Sequence, residues 1–144
     1  MVYRFFHFVE IQTKIASITP FFTGVFYALY VHKKINGKST AVFFIAMLLF
    51  DMAVTAINNY IDARAAKTRV HFSDVVSLSI IALFVSVSAA IGLYLTFLHG
   101  VAVLVAGMIC FGVGVFYTFG PAPISRTPYG EIFSGGVMGF LITF

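Results

Sequence analysis

Four apolar stretches, each about long enough to cross a bilayer, and the start of a fifth take up almost the whole chain. They run over residues 15–31, 39–60, 74–97 and 100–119, and from 129 onward. A spanning helix needs roughly 20 mostly apolar residues, so the expected fold class is all-α, a polytopic transmembrane helical bundle. The 144 residues are 60% apolar and only 10% charged, a balance that a water-facing surface does not tolerate. The fifth stretch stops on Phe144 with no polar exit. The chain is therefore expected to be a fragment, with a short span or a re-entrant end as the alternative.

The N-terminus does not read as a cleaved signal, because its apolar start is short and Glu10, Gln12 and Lys14 interrupt the residues after it. Cys110 is the single cysteine and offers neither a disulfide nor a metal pair. Orientation follows from the nine Lys and Arg. With the N-terminus in the cytoplasm, Arg4, Lys14, Arg64, Lys67, Arg69 and Arg126 lie inside, and Lys33, Lys34 and Lys38 lie outside. The expectation is a multi-pass cell-membrane protein with its N-terminus and its site on the cytoplasmic side. The net charge of +4 reads as this inside bias. No basic stripe interleaved with exposed aromatics points to nucleic acid.

The connections differ in character. Residues 32–38 and the His99-Gly100 junction look like plain hairpin turns. Residues 61–73 and 120–128 are longer, polar and charged, and both fall on the cytoplasmic side, where a site is expected. Gly107, Gly112 and Gly114, with Gly135, Gly136 and Gly139, read as close helix packing, Gly135 and Gly139 forming a small-xxx-small pair.

The second stretch carries Asp51, Thr55, Asn58 and Asp62, spaced four, three and four residues apart and so on one helical face. An Asp at the centre of a span costs roughly 2.5 to 3.5 kcal/mol on insertion scales. Such a group faces a cavity or a partner. Asp51 reads first as a hydrogen-bonding residue between helices. Asn58 and Asp62, an amide and a carboxylate one turn apart at the cytoplasmic end, offer oxygens to a hard cation. Mg²⁺ binds through one or two carboxylates, retained waters and substrate phosphates. Arg64, Lys67 and Arg69, with His71 nearby, come directly after and suit an anionic phosphate group. Anchoring at the headgroups explains each of them equally well, and the same holds for Lys14 through snorkelling.

The run Thr55-Ala56-Ile57-Asn58-Asn59-Tyr60-Ile61-Asp62 resembles the first aspartate-rich motif of the UbiA prenyltransferase family, N-D-x-x-D-x-x-x-D. Asn58 and Asp62 match; Asn59 stands where the family often has Asp, and Ala66 where its last Asp falls. Tyr117-Thr118-Phe119-Gly120-Pro121-Ala122-Pro123, followed by Gly130-Glu131, is similar to a segment of the family's 1,4-dihydroxy-2-naphthoate branch. Residues 13–24, with Pro20 and Gly24, look like that branch's first helix.

The resemblance implies a fold of about nine spans, of which this chain supplies about five as the N-terminal part of one transmembrane domain. It implies Mg²⁺ held between two aspartate-rich motifs, the second lying in a half not present here. The implied reaction transfers a polyprenyl group from polyprenyl diphosphate to 1,4-dihydroxy-2-naphthoate in menaquinone biosynthesis, the fragment alone being inactive. Charge on the departing diphosphate is stabilised while the naphthoate ring carbon attacks. In this reading Asn58 and Asp62 hold Mg²⁺ and diphosphate, and Asn59 lies beside or among the ligands. Arg64, Lys67 and Arg126 are diphosphate candidates, and Asp51 and Tyr117 shape the cavity or acceptor pocket. Two alternatives stay open: another aromatic acceptor, such as a hydroxybenzoate or haem, and a non-catalytic helical bundle.

Overall fold

A computed structural model describes residues 2–66, 72–118, 127 and 130–136 of the chain. The described residues form helices and short turns only. They run α1 (Val2–Phe8), a 3₁₀ turn (Ile11–Lys14), α2 (Ile15–His32), α3 (Gly37–Ala65), α4 (Asp74–His99), α5 (Val101–Thr118) and α6 (Gly130–Gly136). With no water in a bilayer core, a spanning backbone has to pair with itself, and helices do this within one segment.

Among the described residues three helices are long and apolar enough to cross a membrane: the 3₁₀ turn with α2, then α3 and α4. Buried residues make up only 11%, 22% and 11% of their most apolar windows. Large side chains such as Phe97, Tyr30, Phe26 and Phe116 therefore point outward, which suits lipid and not water. α5 is shorter and equally apolar in character. The fifth expected span is described only as α6, and its remainder lies outside the described residues.

Helix ends follow local chemistry. Asn36 caps α3, its side-chain oxygen accepting from the Ser39 N–H at 3.2 Å. Ser73 caps α4, with Asp74 in the first turn complementing the helix dipole. Gly100, at φ 90°, closes α4 and is the sole joint to α5. In α2, Thr19 and Thr23 flank Pro20 and return their hydroxyls to the carbonyls of Ile15 and Thr19 at 2.8 and 2.9 Å. Both threonines are exposed, so this back-bonding is what lets them face lipid.

α3 is the hub: α1, the 3₁₀ turn, α2, α4 and α5 all pack on it. Its buried residues are mostly small, Ala46, Ala53 and Ala56, and α4 buries Ser77 and Ser88, a composition that lets helices approach closely. α5 comes closest at Gly114, where an added Cβ would sit 2.7 Å from the Phe50 ring and 3.0 Å from Val54. Phe50 and Phe111 stack beside it, centroids 4.2 Å apart. Of the glycines read as packing devices, Gly114 has this role, whereas Gly107, Gly112, Gly135 and Gly136 meet nothing within 4 Å. Gly139 lies outside the described residues.

One expectation is corrected. Residues 61–65 are helix, not connection: α3 runs to Ala65, because polar residues such as Asp62 and Arg64 are compatible with a helix once it leaves the hydrocarbon. At 29 residues it is about 43 Å long against a core of about 30 Å, so the motif sits on its projecting end. Residues 2–14, to which the sequence assigned no element, also fold. Glu10, left-handed at φ 46°, turns the chain, and α1 folds back on α3 and α4. Phe8 and Val9 are fully buried with Ala56 and Tyr60, ringed by Phe5, Phe72, Ile80 and Phe84.

Candidate functional site

The polar face of α3 divides into two halves. In the inner half, Lys14 is 2% exposed and its ammonium lies 3.1 Å from Asp51 Oδ1. It also donates to Thr55 Oγ1 at 2.6 Å and to the Asp51 carbonyl at 3.4 Å. These three acceptors match the three donors of an ammonium. The second carboxylate oxygen of Asp51 accepts from Ser17 Oγ at 2.7 Å, and the Thr55 hydroxyl donates to the Asp51 carbonyl at 2.9 Å. The circuit leaves a neutral ion pair with its polar atoms partnered, the condition under which a charge is tolerated inside a span.

Lys14 therefore does not snorkel. It is the counter-ion of Asp51, delivered by the 3₁₀ turn that the Glu10 reversal sets up. The backbone fixes that turn: Thr13 returns both its N–H and its hydroxyl to the Glu10 carbonyl, at 2.9 and 2.8 Å. Ser17, one turn on, was not singled out from the sequence. A signal was present, since Asp51 is the one acid between Glu10 and Asp62 and a mid-span acid demands a partner.

The outer half carries Asn58, half-buried, and Asp62, exposed, one turn apart at the projecting end of α3. Asn59 points elsewhere: its Nδ2 donates to the Phe8 carbonyl at 3.0 Å. Arg64 bonds Asp74 at 2.8 Å, both side chains more than half exposed, and lies 5.5 Å from the Tyr60 ring centre. This pair ties the end of α3 to the start of α4. Tyr117 is half-buried in the last turn of α5, which antiparallel connectivity brings to the same end of the bundle as Asp62. Gly130 is buried and opens α6. Lys67, Arg69, His71, Arg126 and the 119–126 patch lie outside the described residues.

Among the described residues no three His, Cys, Asp or Glu side chains gather to hold a metal. The donor chemistry of Asn58 and Asp62, two oxygen-bearing groups one turn apart, fits part of a Mg²⁺ shell and leaves the remaining positions to water, phosphate or other segments.

A helical membrane bundle with an acid and an amide on the projecting end of its second span is the class that the fold and this face define. The chain matches the UbiA prenyltransferase family over residues 17–144 and belongs to that family. A 33-residue segment, 23% of this chain, is 52% identical to the 1,4-dihydroxy-2-naphthoate octaprenyltransferase of Bacillus subtilis (strain 168). That segment spans 11% of the relative's own length. No solved structure matches.

Proposed function

We propose that this chain is the N-terminal part of a membrane-embedded prenyltransferase that moves a polyprenyl group from its diphosphate to 1,4-dihydroxy-2-naphthoate. The observation that carries the reading is the exposed Asp62 and half-buried Asn58 on the projecting end of α3, in a chain of the UbiA family. The short, highly similar segment shared with a naphthoate octaprenyltransferase favours that acceptor over a hydroxybenzoate or haem.

In this proposal Asn58 and Asp62 present oxygens to Mg²⁺, which when bound neutralises charge on the diphosphate as it leaves. Arg64, Lys67 and Arg126 supply further positive charge for the same group. Arg64 is held near the motif by Asp74, and its exposure leaves it able to exchange partners. Tyr117 contributes to the acceptor pocket from α5. The outward-facing apolar surfaces of α2 to α5 keep the isoprenoid tail in a lipid-like environment. The site opens to the cytoplasm, as the excess of Lys and Arg at that end supports.

The test is prenyl transfer in membranes carrying this chain together with its reading frame extended through a second aspartate-rich motif. Polyprenyl diphosphate is supplied with 1,4-dihydroxy-2-naphthoate, 4-hydroxybenzoate or haem. The proposal expects Mg²⁺-dependent product with the naphthoate alone. Product with another acceptor overturns the substrate assignment; no product from a folded protein overturns the activity.

A further inference from the structure

Residues 2–14 form a strap held at two levels of α3. Lys14 fastens one end to Asp51 and Thr55, and the Phe8 carbonyl fastens the other to Asn59. Between the two fastenings, Phe8 and Val9 are fully buried against Ala56 and Tyr60. Phe8 also meets Phe72 edge-on, centroids 5.8 Å apart, and Phe5 meets Phe84 at 6.2 Å. The strap precedes the segment that matches the family, which begins at residue 17.

At 100° per residue, Asn59 lies about 80° round the helix from Asp51, whereas Asn58 and Asp62 lie within about 20° of it. Thr55, Met52 and Ala56 continue round the same side as Asn59, and Ala56 and Met52 belong to the cluster that receives the strap. The strap thus lies along the Asn59 flank of the polar face. The contact needs a donor, which the Asn59 amide supplies and an ionised carboxylate does not.

We propose that Asn59 is a positioning residue and not a cation ligand. It clamps the strap to α3 and thereby fixes the rotation of the helix end that presents Asn58 and Asp62. The strap contact stands on its own geometry; the cation half rests on the proposed function.

The test places a thiol probe at Val9 (Val9→Cys, with Cys110→Ser) in the purified chain and compares its labelling rate with Asn59 intact, Asn59→Ala and Asn59→Asp. Loss of one hydrogen bond is expected to raise labelling several-fold in the Ala variant, and the carboxylate facing a carbonyl to raise it by about tenfold or more in the Asp variant. Labelling unchanged in both variants overturns the clamp. In parallel, Mn²⁺ binding is followed by electron paramagnetic resonance with a prenyl thiolodiphosphate in the extended protein. A clamp predicts that Asn59→Asp does not tighten Mn²⁺ while Asp62→Ala weakens it. Tighter Mn²⁺ in Asn59→Asp places residue 59 in the cation shell and overturns the proposal. If no variant, nor the unsubstituted protein, binds Mn²⁺, the proposed function fails and the labelling alone decides the clamp.

Discussion

The two halves of one helix face treat the same chemical group in opposite ways. The Asp51 carboxylate, at 12% side-chain exposure, is closed off by Lys14 and Ser17. Asp62, eleven residues further along the face, is exposed at the helix end. A carboxylate inside the bilayer must be neutralised within the fold; one beyond the hydrocarbon keeps its contact with water. Depth in the membrane, not residue type, separates the structural acid from the candidate functional one.

Breaking the inner pair should have the largest effect on folding. Lys14→Ala leaves Asp51 buried without its counter-ion, and such a break costs about 3–5 kcal/mol; the amount of folded protein and its melting temperature in detergent should both fall sharply. Replacing both partners with apolar residues, Lys14→Met with Asp51→Leu, should recover most of that loss. A double variant as unstable as the single one would show that the pair does more than neutralise charge.

Asp62→Ala sharpens the contrast from the other side. Folded yield and melting temperature should stay close to the unsubstituted protein, while prenyl transfer in the extended protein falls by roughly 100-fold or more, as when a charge-stabilising group is removed. Gly114→Ala tests the α3–α5 approach, which belongs to neither half. Its Cβ would press on Phe50 at 2.7 Å, and overpacking of this kind costs about 1–3 kcal/mol, visible as a lowered melting temperature. The smallest effect is expected at Arg64. Its pair with Asp74 is exposed on both sides, so Arg64→Ala should change stability by about 0–1 kcal/mol.

The spans were legible because hydropathy alone sets them: residues 15–31 and 74–97 read from the sequence correspond to α2 and α4 within two residues at each end. The shared face of Asp51, Thr55, Asn58 and Asp62 was legible from helical periodicity. The partner of Asp51 was not, because Lys14 reaches it across 37 residues of sequence and periodicity reports only neighbours on one element. The strap escaped for a related reason. Its buried apolar residues, Phe8 and Val9, lie in a seven-residue helix and the turn at left-handed Glu10, and neither has the length to produce a periodic signal. The extension of α3 to Ala65 was missed because charge at a span's end looks the same in a helix as in a loop.

In the proposed function Asp62 serves ligand chemistry, whereas Asp51, paired with Lys14, serves the fold. One comparison tests it most directly: Asp62→Ala and the Lys14→Met/Asp51→Leu double variant, each in the extended protein, measured for Mg²⁺-dependent prenyl transfer per folded molecule. The double variant is predicted to keep most of its turnover and Asp62→Ala to lose nearly all of it. Full turnover in Asp62→Ala, at unchanged folded yield, would contradict the claim.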